Sequence, residues 1–418
     1  MPIVWFAQGR QASDSWTSLD MGHAYFNGAA RERSLYEATF FSRRLDHKGF
    51  QYPPTSLLVM DAADVLFGST RRFLEVVTWL WIPVTAVLIA ALDRRLAASG
   101  HRGPRAEGWA RAALAAFATL TFYPLMRAYA NGQVQTWING LFAGAVLAWV
   151  CGRAAVAGAL VALMAAFKPQ AAFVLVWAVV RGKWRFVAGF AAVAVPLLAA
   201  SIAAYGLPAH LEYLRVLAFL GRRGESFFPN HSVNGMLHRL LANGENLEFY
   251  RRGSTRWLDH FPPYNAFVHA ATVVSSVLLL AAALWPPRST AARAGTADFC
   301  MAALASTIAS PIAWEHHYGV LLPILVVLWH GRSGSPTALR VLAVTYAVAC
   351  NPWWVTRALA ETPFNALQSY LLVAGLATLG LLHRLRGSVG MNGWWRMPRV
   401  APPGPKAPRQ EDNLLECP

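Results

Sequence analysis

Apolar runs long enough to cross a bilayer, separated by short polar turns, recur along most of the 418 residues. A run of about 18 residues or more spans a hydrocarbon core of about 30 Å as a helix. The pattern predicts spans over residues 73–92, 110–129, 134–150, 184–205, 264–285, 296–312, 318–331, 338–356 and 365–384. Residues 154–180 are long for one span, and Lys168-Pro169 interrupts them at the centre. Proline breaks the backbone ladder there, and a lysine facing lipid at that depth is expensive. The segment is therefore expected to be a hairpin of two short helices with Lys168 at its tip. The expected fold is an all-α polytopic membrane protein with about 10–11 transmembrane helices.

Composition agrees with that class. Hydrophobic residues make up 56% of the chain and charged residues 14%, against about a quarter charged in soluble domains. The net charge of +16 does not call for nucleic acid, because most Lys and Arg lie in short loops between apolar runs. With residues 1–72 outside, the inner loops carry Arg94, Arg95, Arg102, Arg105 and Arg111, then Arg153, then Arg181, Lys183 and Arg185. Arg288, Arg293, Arg332, Arg340, Arg384, Arg386, Arg396 and Arg399 continue the series. Basic inner loops are what the positive-inside rule demands. A single span at 154–180 would invert the second half and break this pattern.

One multi-span domain is expected over residues 1–386, followed by a disordered, Pro- and Arg-rich inner tail at 387–418. Residues 1–19 read as neither span nor signal peptide. Either a first helix precedes this chain or the first span carries a short tail across. The four cysteines are isolated, with no disulfide framework or zinc spacing, so no metal and no cofactor is expected.

Four segments share the outer face: residues 1–72, the turn near Asn131-Gly132-Gln133, the long loop 206–262, and a turn reading Ser310-Pro311-Ile312-Ala313-Trp314-Glu315-His316-His317-Tyr318. An interfacial aromatic belt would explain Trp314 and Tyr318 but not Glu-His-His. Arg127, Gln133 and Gln135 offer a guanidinium and two amides, suited to a phosphate or to sugar hydroxyls. Read as a simple polar turn, the same residues need no ligand. Lys168 is harder to explain as structure, because a snorkelling lysine would sit near a helix end on the basic side. The run Asn230-His231-Ser232-Val233-Asn234-Gly235 leading to Arg239 looks like a turn, a cap and a short interfacial helix.

These segments in this order resemble glycosyltransferase family 87. The resemblance rests on Asp20 followed by Tyr25 and Phe50-Gln51-Tyr52-Pro53-Pro54, then Gly132-Gln133-Val134, then Lys168-Pro169. It continues through N-x-S-x-N-G with L-x-R-L-L at 230–241 and ends on S-P-x-x-W-x-H-H-Y at 310–318. Glu315 stands where that family usually has Asp. The resemblance implies a GT-C-like bundle with an extracytoplasmic active-site face in the plasma (inner) membrane. It also implies transfer of a hexose, as mannose, from a polyprenyl-phosphate sugar donor to an envelope glycolipid or glycan acceptor, inverting to an α-linkage.

Such a donor needs no nucleotide-binding motif, and the chain has none. Asp20 is the implied general base, with His316 and His317 the other catalytic candidates. Arg127, Lys168 and the two histidines are candidates to stabilise the departing phosphate. Tyr52, Gln133, Asn230, His231, Arg239 and Glu315 complete the expected substrate site. A transporter or flippase for a lipid-linked or anionic substrate would also place a lysine and a histidine pair at membrane depth. It would usually show paired discontinuous helices in two halves, and the sequence has no such repeat. A non-catalytic scaffold subunit would tolerate alanine at Asp20, Lys168 and His317.

Overall fold

The structure, a computed structural model, describes residues 14–28, 33–42, 49–68, 70–97, 105–247, 261–286, 295–331, 336–360 and 362–388. The expected inner tail lies outside the described residues from 389 onward, as do Arg102, Arg288, Arg293, Arg332, Arg396 and Arg399 of the charge series. Among the described residues the regular elements are all helices. The one extended contact is an isolated antiparallel bridge between Asn230 and Trp314. The all-α polytopic expectation holds.

Among the described residues, four helices are long and apolar enough to cross a membrane: Phe73–Ala97, Trp184–Tyr205, Ala266–Leu284 and Asn365–Arg386. Ala154–Ala165, Pro169–Val180, Thr296–Ile308 and Pro336–Ala349 are apolar but shorter. The run 110–129, expected as one span, is two helices, Arg105–Thr121 and Tyr123–Ala130. Pro124 lies in the first turn of the second, and Phe122 before it is extended at ψ 109°. Proline starts a helix well and continues one badly, which accounts for the break.

The hairpin reading of 154–180 also holds. Helix α1, Ala154–Ala165, and helix α2, Phe173–Val180, are joined by a 3-10 turn over Pro169–Ala172. Lys168 sits at the break in extended backbone, φ −131° and ψ 95°. The 12 residues of α1 rise only about 18 Å, so the break falls within bilayer depth rather than beyond it. Helix α3, Trp184–Tyr205, packs on α1 with almost no spacing. A Cβ on Gly158 would lie 2.1 Å from the Phe186 carbonyl, and one on Gly189 1.9 Å from that of Ala155. Small residues allow this approach, the usual way helices associate where lipid removes the hydrophobic drive.

The segments expected as outer loops carry helices of their own. Residues 1–72 include helices Asp14–Asn27, Leu35–Thr39 and Leu58–Phe67, and the loop 206–262 includes helix α4, Leu207–Arg223, and helix α5, Val233–Leu240. A search for spans passes over such elements because they are short or amphipathic. On α4, Leu207, Leu211 and Leu214 face outward while Tyr213 and Val216 are buried, the spacing of a helix lying on an apolar surface.

At the opposite end of the bundle Asp298 is fully buried between two guanidiniums. It accepts from Arg386 Nη1 and Arg181 Nε at 2.7 Å and from Trp177 Nε1 at 2.8 Å. The same arginines donate to the Ala283, Leu284 and Trp285 carbonyls at the end of helix Ala266–Leu284. This lock supplies the carbonyls that a helix C-terminus leaves without intrahelical partners. It also fixes the end that carries the basic loops.

Candidate active site

The four segments expected on the outer face meet at one end of the bundle, around the turn that joins helix Thr296–Ile308 to helix Leu321–Gly331. That turn is held from the side by residues 229–232. Asn230 Nδ2 donates to the Pro311 carbonyl at 3.1 Å and to that of Glu225 at 2.8 Å, while its Oδ1 accepts from Ala313 N at 2.9 Å. Ser232 Oγ also donates to Pro311 at 2.8 Å, and it caps α5 by accepting from Gly235 N at 3.0 Å. Backbone bonds from His231 N to the Ala313 carbonyl and from Glu315 N to the Pro229 carbonyl complete the lacing. Gly235 must be glycine here, because a Cβ would lie 2.5 Å from the Asn230 carbonyl oxygen.

Arg239 belongs to this lacing. It is buried, donates to the Phe227 and Asn230 carbonyls and to Ser369 Oγ, and faces no opening. Asn230 and Arg239, expected at the substrate, hold backbone in this structure. Their hydrogen bonds are made within the fold, so their position in the motif reflects architecture.

A second layer lies behind the turn. Glu315 is buried and pairs with Arg127 Nε at 3.2 Å, with His231 Nε2 3.9 Å from its other oxygen. Burial works to raise the Glu315 carboxyl, but His231 and Arg127 outweigh it and hold the group below the usual carboxylate range. Burial likewise pushes His231 down, in spite of Glu315. Arg127 and Glu315 form an ion pair with His231 beside it, and none of the three lines the cavity in front.

The cavity itself is about 520 Å³. Its lining includes polar and aromatic residues, among them Tyr52, Gln133, Lys168, Glu225, Trp314, His316 and His317, and apolar ones, among them Phe167, Phe173, Leu217, Leu220 and Leu280. Lys168 Nζ is hydrogen-bonded to His317 Nε2. With Lys168 as an ammonium, which can only donate, Nε2 accepts and the ring proton sits on Nδ1. Burial and then the Lys168 charge hold both His316 and His317 well below the ordinary histidine value, so both rings are neutral at pH 7. The two rings stand perpendicular, 4.7 Å apart.

On the far side Ser15 Oγ donates to Gln133 Oε1 at 2.7 Å and therefore accepts from Tyr52 OH at 2.7 Å and Val134 N at 3.1 Å. This ties helix Asp14–Asn27 to the cavity rim. Asp20 lies on that helix, half-buried, and is not among the cavity-lining residues. The structure thus brings together Tyr52, Gln133, Lys168, His316 and His317, and sets Asp20, Arg127, Asn230, His231, Arg239 and Glu315 outside the cavity wall. Two contributors escaped the sequence reading. Ser15 lies before the first motif, and Glu225 sits just beyond Arg222 and Arg223, where a carboxylate looks like part of a solvated charge run.

The sequence profile of glycosyltransferase family 87 matches residues 50–311, from Phe50 through Pro311. The chain belongs to glycosyltransferase family 87. It is accordingly a membrane glycosyltransferase, and the matched stretch contains Tyr52, Gln133, Lys168 and Glu225 of the cavity wall. Among curated proteins no match was found. Two crystal structures of ArnT from Cupriavidus metallidurans are similar to this family 87 chain at a distance. The one bound to undecaprenyl phosphate has 14% identity and a TM-score of 0.39, and the apo one 16% and 0.35. In both the likeness covers 92% of this chain and 75% of the other.

The buried histidines give this site a pH signature. His231, His238, His316 and His317 are all held below their ordinary value, burial being the largest cause for each. In the unfolded chain each takes up a proton below about pH 6.5 and in the native state it does not. Native stability therefore falls as pH drops below about 6.5, and Glu315, also held low, pushes the same way at more acid pH. The melting temperature of detergent-purified protein should be lower at pH 5.5 than at pH 7.5. A higher value at pH 5.5 would contradict the neutral assignment.

Proposed function

We propose that this family 87 enzyme transfers a hexose, with mannose the first candidate, from a polyprenyl-phosphate donor to a glycolipid or glycan acceptor of the cell envelope. One observation carries the reading: Lys168, hydrogen-bonded to His317, lies at the break of two half-length helices in a cavity that is also lined by Phe167, Phe173, Leu217, Leu220 and Leu280. A phosphate on a lipid tail has the charge for Lys168 and the chain for the apolar lining residues. Lys168 then receives the phosphate, with the His317 ring orienting its ammonium and His316 beside them. Gln133 and Tyr52 offer hydrogen bonds to hydroxyls. Asn230 and Arg239 position the turn, and Arg127, His231 and Glu315 support it from behind.

The proposed step is a single displacement. The acceptor oxygen bonds to the anomeric carbon as the bond from that carbon to the phosphate oxygen breaks. The acceptor stands at the rim, where Ser15 ties the helix that carries Asp20; its proton passes to the Asp20 carboxylate, and polyprenyl phosphate leaves. A β-linked donor gives an α-linked product. Polyprenyl phosphate without a sugar should compete with the donor, whereas transfer from a soluble nucleotide sugar would overturn the reading.

The proposed reaction face is the outer face of the plasma membrane. In a background lacking the four native cysteines, Glu245→Cys should react with a membrane-impermeant maleimide on intact cells. Arg185→Cys should react only after permeabilisation; both side chains are exposed. The reverse pattern would turn the cavity toward the cytoplasm.

A further inference from the structure

Glu225 is 2% exposed and lines the cavity that Lys168 and His317 also line. Its carboxylate accepts from Trp314 Nε1. Its backbone is fixed at both ends by the N-x-S-x-N-G run: its N–H donates to Asn234 Oδ1 at 3.3 Å, and its carbonyl accepts from Asn230 Nδ2 at 2.8 Å. Gly224 before it adopts φ +60°, and a Cβ there would lie 1.8 Å from Asn234 Oδ1. The motif that holds the Trp314–His317 turn therefore also aims one acidic side chain into the cavity. Burying a carboxylate is costly unless its charge is used or compensated. Three hydrogen bonds hold Glu225 in place, one of them on the carboxylate itself.

We propose that Glu225 accepts hydrogen bonds from hydroxyls of the sugar being transferred and makes the cavity selective for neutral pyranosyl donors over hexuronosyl ones. This deepens the proposed function and rests on it. With the donor phosphate at Lys168, the sugar occupies the remainder of the polar lining, where Glu225 and Trp314 form a hydrogen-bonded unit of acceptor and flat ring. A carboxylate accepts several hydrogen bonds from hydroxyls and donates none. A hexuronate would set a second negative charge against it in a partly dry site, a like-charge contact that is strongly disfavoured.

The test uses the full-length purified protein and three probes: polyprenyl phosphate, polyprenyl-phosphate mannose and polyprenyl-phosphate mannuronate, the sugars differing only at C6. The parent should bind the mannosyl probe at least about a hundredfold more tightly than the mannuronosyl one. Glu225→Gln, which keeps an acceptor for Trp314, should shrink that ratio at least about tenfold and bind sugar-free polyprenyl phosphate no more weakly than the parent does. Glu225→Asp keeps the charge and should still reject the mannuronosyl probe. An unchanged ratio in Glu225→Gln would overturn the proposal. So would loss of sugar-free lipid binding in both variants, which would make Glu225 a part of the scaffold. If the parent itself does not bind polyprenyl phosphate, the donor assignment fails instead.

Discussion

Replacing Asp20 by Asn should lower turnover by about 10² or more, the usual share of general-base catalysis, and leave donor binding nearly unchanged. The substitution keeps shape and removes the proton acceptor. An Asp near its ordinary pKa of about 4 is ionised at neutral pH, which suits the role. Asp20 lies one turn along the helix from Trp16, which packs against Trp137 at 5.4 Å, and Trp137 in turn meets Phe167 of the cavity wall at 6.0 Å. Steady-state transfer and equilibrium donor binding, measured side by side, check both halves. Near-normal turnover would move the base elsewhere. Glu315, the next carboxylate the sequence suggests, is already held between Arg127 and His231, which leaves Glu225 of the cavity wall.

Lys168→Met should weaken binding of a polyprenyl-phosphate analogue by about tenfold to a hundredfold, the worth of a hydrogen bond to a charged group. The protein should remain folded and gain slightly in stability, because an ammonium at this depth costs energy that an apolar side chain does not. His317→Ala should lower binding and turnover together, since its ring partners Lys168. Binding by Lys168→Met as tight as that of the parent would make this lysine structural. The phosphate site would then have to be sought among the outer-loop arginines.

Hydrophobic period and basic loops were enough to read the helical class, the hairpin at Lys168 and the meeting of the four outer segments. They carried this far because span length and charge bias are set by the bilayer, which acts on every residue alike. The helices inside the outer segments were not legible, since Leu207–Arg223 owes its leucine stripe to a surface rather than to a span. At the site, the motif residues divided in a way that residue type could not foretell. Asn230 and Arg239 carry the groups expected of ligands, yet their partners are backbone carbonyls and amides that only the fold brings near. Glu225 failed to stand out for the opposite reason. It has no neighbour in sequence that marks it, and it becomes part of the cavity only through Gly224, Asn230 and Asn234.

The most direct measurement is incubation of the purified protein with radiolabelled polyprenyl-phosphate mannose and a membrane lipid extract, with product lipids and glycans separated afterwards. The label should move to a new glycolipid or glycan as polyprenyl phosphate is released, and Lys168→Met should abolish most of that transfer. Label remaining on a donor that binds, or crossing a vesicle membrane unchanged, would contradict transfer from this donor and favour a flippase.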